Sequence, residues 1–165
     1  MTPETALCDT VRFTAARSAL VAETSSFDPW LVTGTLLMAQ QACTLALRAA
    51  GDPIPEQAGA TELLLRAATK DRLPAPFTLP FGASARQSFD RLVEARNSFM
   101  HPRGTLWHVS QQTLSRGLPV ATGTVRHLIL TQPVLNDLVS ADQQGALRDD
   151  LETIDSLAEF LDEPV

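Results

Sequence analysis

Long apolar runs are missing from this sequence: none approaches the roughly 18 residues that a membrane span needs. The N-terminus, Met1-Thr2-Pro3-Glu4-Thr5, has neither a basic start nor an apolar core and makes no case for secretion. Cysteine is scarce as well. Cys8 and Cys43 share no motif spacing and each sits in an apolar helical setting, so they read as small packed thiols in a reducing compartment. The chain contains no HExxH, CxxC, GxGxxG or GxxxxGK, which leaves zinc-protease, redox, dinucleotide and P-loop chemistries without support. The expectation is a soluble cytoplasmic protein that uses neither a membrane nor a metal.

What is present is ordinary globular chemistry. The 165 residues are 44% hydrophobic and 19% charged, enough for one domain (1–165) with its own core. A net charge of −6 argues against a broad, nonspecific grip on nucleic acid, but the charge is unevenly spread. Residues 1–65 carry a net −4 and residues 104–165 a net −6, whereas residues 66–103 carry +4. That basic segment holds Arg66, Lys70, Arg72, Arg86, Arg91, Arg96 and Arg103 against Asp71, Asp90 and Glu94. Either solvated helix faces differ in charge, or the segment serves an acidic ligand.

The pattern is mostly α, in about five helices. Residues 5–23 have helical composition, with Leu7, Val11, Ala15 and Leu20 near one face. Ser26 or Asp28 caps a second helix with Pro29 in its first turn; from Trp30 to Ala50 it is apolar nearly all round, which predicts the buried central helix. Gly51-Asp52-Pro53 stops it. A shorter helix is expected over 58–71. Pro74, Pro76 and Pro80 then impose a stiff connection packed through Phe77 and Phe81. A helix follows from about Ser84 to Met100. Within 105–130 two readings stand: residues 105–110 and 125–130 pair as a short hairpin around Ser115-Arg116-Gly117, or the second run is helical. Thr131 and Pro133 resemble a cap and first turn, opening a helix to about Val139. The last helix, about 144–162, repeats Leu147, Leu151, Ile154 and Leu161 at helical spacing, with seven acids and no base after Arg148.

The helix 84–100 carries the chemistry. At about 100° per residue, Phe89, Leu92, Val93, Phe99 and Met100 share one arc, and Arg96 falls in the middle of it. A guanidinium on a core-facing stripe needs a carboxylate partner, or the stripe must face a groove or subunit seam. A second stripe holds Asp90, Glu94, Asn97 and His101. His101 comes where Pro102 ends the helix, so an arginine, an amide, a hydroxyl (Ser98) and an imidazole gather at one helix end. Imidazole moves protons near neutral pH, and arginine holds phosphate oxygens bidentately. Together they form a metal-free site for phosphodiester cleavage: a ribose 2′-hydroxyl attacks the adjacent phosphate, His101 transfers a proton and Arg96 stabilises the developing charge. The Arg-x4-His spacing recurs at Arg103 and His108, across Gly104 and beyond the helix stop. Position, not spacing, sets the first occurrence apart.

The run Leu92-Val93-Glu94-Ala95-Arg96-Asn97-Ser98-Phe99-Met100-His101-Pro102 resembles the signature of HEPN domains, an all-helical family carrying Arg-polar-x3-His. The apolar Leu36-Leu37-Met38-Ala39-Gln40-Gln41 helix is similar to the long upstream helix of that fold. The resemblance spans 27–162 in layout and about ten residues in specific motif. It implies a HEPN-like helical bundle and a metal-independent endoribonuclease in which two protomers bring their Arg and His together at a dimer seam. Many members are toxins or abortive-infection effectors held by a partner, which implies a toxin–antitoxin, phage-defence or stress setting. Arg96 and His101 would be catalytic, with Asn97 the polar position beside the arginine. Glu94, Ser98 and Arg103 join as supporting or RNA-binding residues from the wheel and the charge pattern, and no cofactor is implied.

Other readings compete. Arg96 can be a structural arginine paired with an acid on a neighbouring helix, and His101 a helix-end residue on terminal carbonyls. The same surface can belong to a noncatalytic helical module binding nucleotide or a protein partner. The acidic last helix can mark an antitoxin-like partner for another protein. His108 and His127 are isolated, and Trp107 reads as packing before base stacking.

Overall fold

The computed structural model describes residues 1–69, 72–74, 77, 82–100, 109–131 and 139–163. Six α-helices form the described chain: α1 (Pro3–Thr24), α2 (Pro29–Ala49), α3 (Ala60–Ala67), α4 (Ala83–Met100), α5 (Gln111–Val125) and α6 (Ala141–Asp162), with a π-helical turn over Arg126–Thr131 directly after α5. Among the described residues there is no strand.

Four of the six helices, α1, α2, α5 and α6, start at a side chain that accepts from a free N–H group of the first turn. The Thr2 hydroxyl accepts from the Thr5 N–H at 3.2 Å and Pro3 opens α1. Asp28, not Ser26, caps α2 by accepting from the Trp30 N–H at 2.9 Å, and Arg17 from α1 clamps the same carboxylate. Ser140 and Gln143 form a reciprocal box at the start of α6. At the far end of α2, Gly51 takes φ +75°, a left-handed conformation that turns the chain out of the helix at no Cβ cost.

Helix α2 is the hub and packs against α1, α3, α4, α5 and the π-helical turn. Its all-round apolarity follows from that position: Leu31, Val32, Leu36, Met38, Cys43 and Leu47 are all buried. By length and composition it could cross a membrane, but 67% of its apolar window is buried inside the bundle. On one side α1 and α6 pack together, and α6 also packs along α5. On the other, α4 lies along α5. That contact is close because of Gly117: a Cβ there would sit 2.5 Å from Cδ1 of the fully buried Leu92.

The hairpin reading of 105–130 is corrected by α5. Ser115-Arg116-Gly117 is mid-helix, and the run 125–130 continues as the π-helical turn. Ser110 starts this helix, its hydroxyl accepting from the Thr113 N–H at 3.1 Å. Burial of one face, through Leu114, Leu118, Ala121 and Val125, outweighs the local β-propensity of the segment. Pro119 removes a donor from the Ser115 carbonyl, but both residues line an open groove where solvent can replace it. Thr131 ends the π-helical turn, and residues 132–138, where a further helix was expected with Thr131 as its cap, lie outside the described residues. So do Phe81, Trp107 and His108, whereas Phe77 is buried as expected. Both cysteines are free; burial pushes the Cys43 thiol up to about 12, and Cys8 is only half-buried.

Candidate functional site

Helix α4 presents its inner face to α5, α2 and α3. Phe89 and Leu92 are fully buried on that face, and Arg96 continues the same row one turn further on. Arg96 is half-buried, and its Nε is enclosed yet donates no hydrogen bond among the described residues. The expected apolar stripe thins at the end of the helix. Val93 and Phe99 are half-buried, and Met100 is 58% exposed, correcting its placement in the core.

The other inner arginines of the bundle are paired. Arg17 bonds Asp28, Arg66 and Arg72 converge on Asp52, and Arg126 bonds Asp155. On α4 itself Arg86 reaches Asp90 at 3.1 Å, and the Thr61 hydroxyl donates to the same carboxylate at 2.8 Å. Those pairs engage three of the five arginines described within 66–103. Two guanidiniums of that segment, Arg91 on the solvent side and Arg96 on the inner side, have no ion pair among the described residues.

Glu94, Asn97 and Ser98 are exposed on the outer face of α4, where spacings of three and four residues bring them together. Arg96 is turned roughly 100° away from Asn97 and roughly 160° away from Glu94 and Ser98, so these polar groups do not share its face. Asp90, the first member of the second stripe, is spent on Arg86 and Thr61. His101 and Arg103, the remaining candidates, lie outside the described residues.

Sequence reasoning overlooked what lies next to this helix end. The Phe99 ring packs 5.7 Å from Phe27, centroid to centroid, at 46°. Phe27, in the α1–α2 connection, is also part of the wall of a cleft of about 510 Å³ between the end of α1, the start of α5 and the end of α6. Phe160 stands on the opposite helix, and Ser110, Gln111 and Gln112 form the α5 edge. The signal was available: Phe160 interrupts an otherwise polar outer face of α6 and is 52% exposed.

Two other features are accounted for without chemistry. A groove of about 460 Å³ between α5 and α6 is crossed by the Arg126–Asp155 pair and by the Thr122 hydroxyl, which donates to Asp155 at 2.6 Å. His127 packs against Phe77 with ring centroids 4.9 Å apart and planes tilted by 35°, and burial lowers its pKa from the ordinary value. Among the described residues no group of three or more His, Cys, Asp or Glu side chains could hold a metal ion. No protein-family model matches the chain, and neither does any curated protein or solved structure.

Proposed function

We propose that this chain is a metal-independent endoribonuclease of the HEPN type. In this reading the ribose 2′-oxygen bonds to the adjacent phosphorus and the bond to the 5′-oxygen breaks. His101 relays the proton from the 2′-hydroxyl to the departing oxygen, and Arg96 binds the phosphate oxygens as charge accumulates. Two copies of the chain meet so that their α4 ends share one cleft. The setting is cytoplasmic, a toxin–antitoxin or phage-defence system in which a partner protein holds the enzyme in check.

One observation carries the reading: the unspent guanidinium of Arg96. Enclosing a donor without an acceptor opposes folding, and this fold pairs its other inner arginines. An arginine on the apolar row of α4 that makes no ion pair among the described residues is suited to an anion supplied from outside, and the Arg-Asn-x3-His pattern supplies the proton carrier next to it. The test is cleavage of RNA by the purified chain in excess chelator, with His101→Ala as the inactive control. Full activity in that variant removes the proposal. RNA that stays intact while Arg96→Ala weakens nucleotide binding by calorimetry establishes the noncatalytic module instead.

A further inference from the structure

The cleft beside Phe27 differs in kind from the rest of the surface. The described residues that line it are all uncharged, in a chain with 32 Asp, Glu, Lys and Arg side chains. Without a cation it has nothing for phosphate, and without a carboxylate nothing for an amine or a metal ion. What it offers is apolar wall and neutral polar edge. Val21, Leu114 and Leu161 line it, and the rings of Phe27 and Phe160 are 40% and 52% exposed. Along one edge stand the Ser110 hydroxyl and the carboxamides of Gln111 and Gln112. These two glutamines are the first residues of α5, where backbone N–H groups have no helical acceptor. A carboxamide both donates and accepts.

Rings for stacking, mixed donors and acceptors at one edge, and no charge: that set matches a flat, neutral molecule with a polar rim. A volume of about 510 Å³ falls within the usual range for small-ligand sites. We propose that the cleft binds a single unstacked nucleobase, held against Phe160 and read along its edge by Gln111 and Gln112. The proposal rests on the ribonuclease reading for the identity of the ligand as part of an RNA strand. It extends that reading with a source of base preference. Geometry links the two: Phe27 lines the cleft and packs against Phe99, which lies three residues beyond Arg96 on α4. A base in the cleft is thus one ring away from the helix end that would hold its phosphate.

The experiment uses free nucleosides, which carry no phosphate and so report on the cleft independently of Arg96. Adenosine, guanosine, cytidine and uridine are titrated into the isotope-labelled full chain and followed by NMR. The expected result is saturable shifts at Gln111, Gln112 and Phe160, with affinities that differ among the four. Phe160→Leu, which keeps an apolar side chain and removes the ring, should weaken binding by about tenfold. Gln112→Ala should narrow the differences among bases with the fold intact. Absence of shifts with all four nucleosides overturns the proposal even if the protein cleaves RNA. Nucleoside binding by a chain that leaves RNA intact keeps the cleft and removes the ribonuclease reading. Dimerisation that Phe160→Leu abolishes, with no nucleoside shifts, assigns the cleft to a second copy and overturns the proposal.

Discussion

Arginine is used in two ways at two places in this bundle. Where α2 gives way to α3, Arg66 and Arg72 reach one carboxylate, Asp52, and their presence holds its pKa below the ordinary value. Toward the end of α4, Arg96 is likewise partly enclosed, yet its Nε meets no acceptor among the described residues. The Asp52 cluster shows what a structural arginine looks like here: a carboxylate within reach, brought by the connection that follows α2. Measured against it, Arg96 has no such partner among the described residues. Enclosing the Nε–H without an acceptor opposes folding, so this position, unlike the Asp52 cluster, adds nothing to stability through an ion pair among the described residues.

The comparison can be broken most decisively through activity. His101→Ala should reduce RNA cleavage by about 100-fold or more, read as product per unit time in excess chelator, because a positioned acid–base group contributes on that scale. Next in size is a packing control away from either arginine. Gly117→Val would press a branched side chain onto Leu92, and about 2 kcal/mol of stability should be lost by urea denaturation. An unchanged midpoint would mean that α4 and α5 are not as close as described.

The two arginine sites should then respond in opposite senses. Arg66→Met removes a donor from Asp52 and should lower the urea midpoint. Arg96→Met, which keeps the stem and removes the unpaired donors, should leave stability within about 0.5 kcal/mol of the parent or raise it. Equal losses at both positions would erase the distinction.

The smallest effects are those of pH. The folded-state pKa of His127 is lowered by burial, so the unfolded chain binds more protons just below the ordinary value of 6.5, and stability falls as pH drops through that window. The Asp52 contribution behaves differently: its depressed pKa keeps the stabilisation intact above the ordinary value of 3.8, and the loss comes as pH falls below it. His127→Phe should remove the first loss and spare the second, seen in urea midpoints from about pH 7 to about pH 3.

Much of the bundle was legible in the sequence, because it rests on periodicity and caps. Pro29 after Asp28, the apolar run of α2 and the leucine spacing of α6 each announce one element. Within 109–131 the sequence left strand and helix open for 125–130, because Val125, Ile129 and Thr131 favour strands locally; burial against α2, α4 and α6 decides for the helix. At the candidate site, Arg96 on the inner row of α4 followed from the wheel, and so did the outer face of Glu94 and Asn97. Met100 did not follow. A wheel assumes that the core continues to the last turn, and here it does not. Nor could periodicity reveal that Arg66, Arg72 and Asp52 converge, since that cluster joins residues 14 and 20 positions apart. The cleft of Phe27 and Phe160 is assembled from three helix ends, and no linear pattern spells it.

The most direct test of the central claim is the rate of RNA cleavage in excess chelator by Arg96→Met against the parent chain, both confirmed folded. The account predicts a rate lower by about 100-fold or more, since the lost group acts on charge that develops in the transition state. Cleavage at the parental rate, or a parent chain that leaves RNA intact, would contradict it.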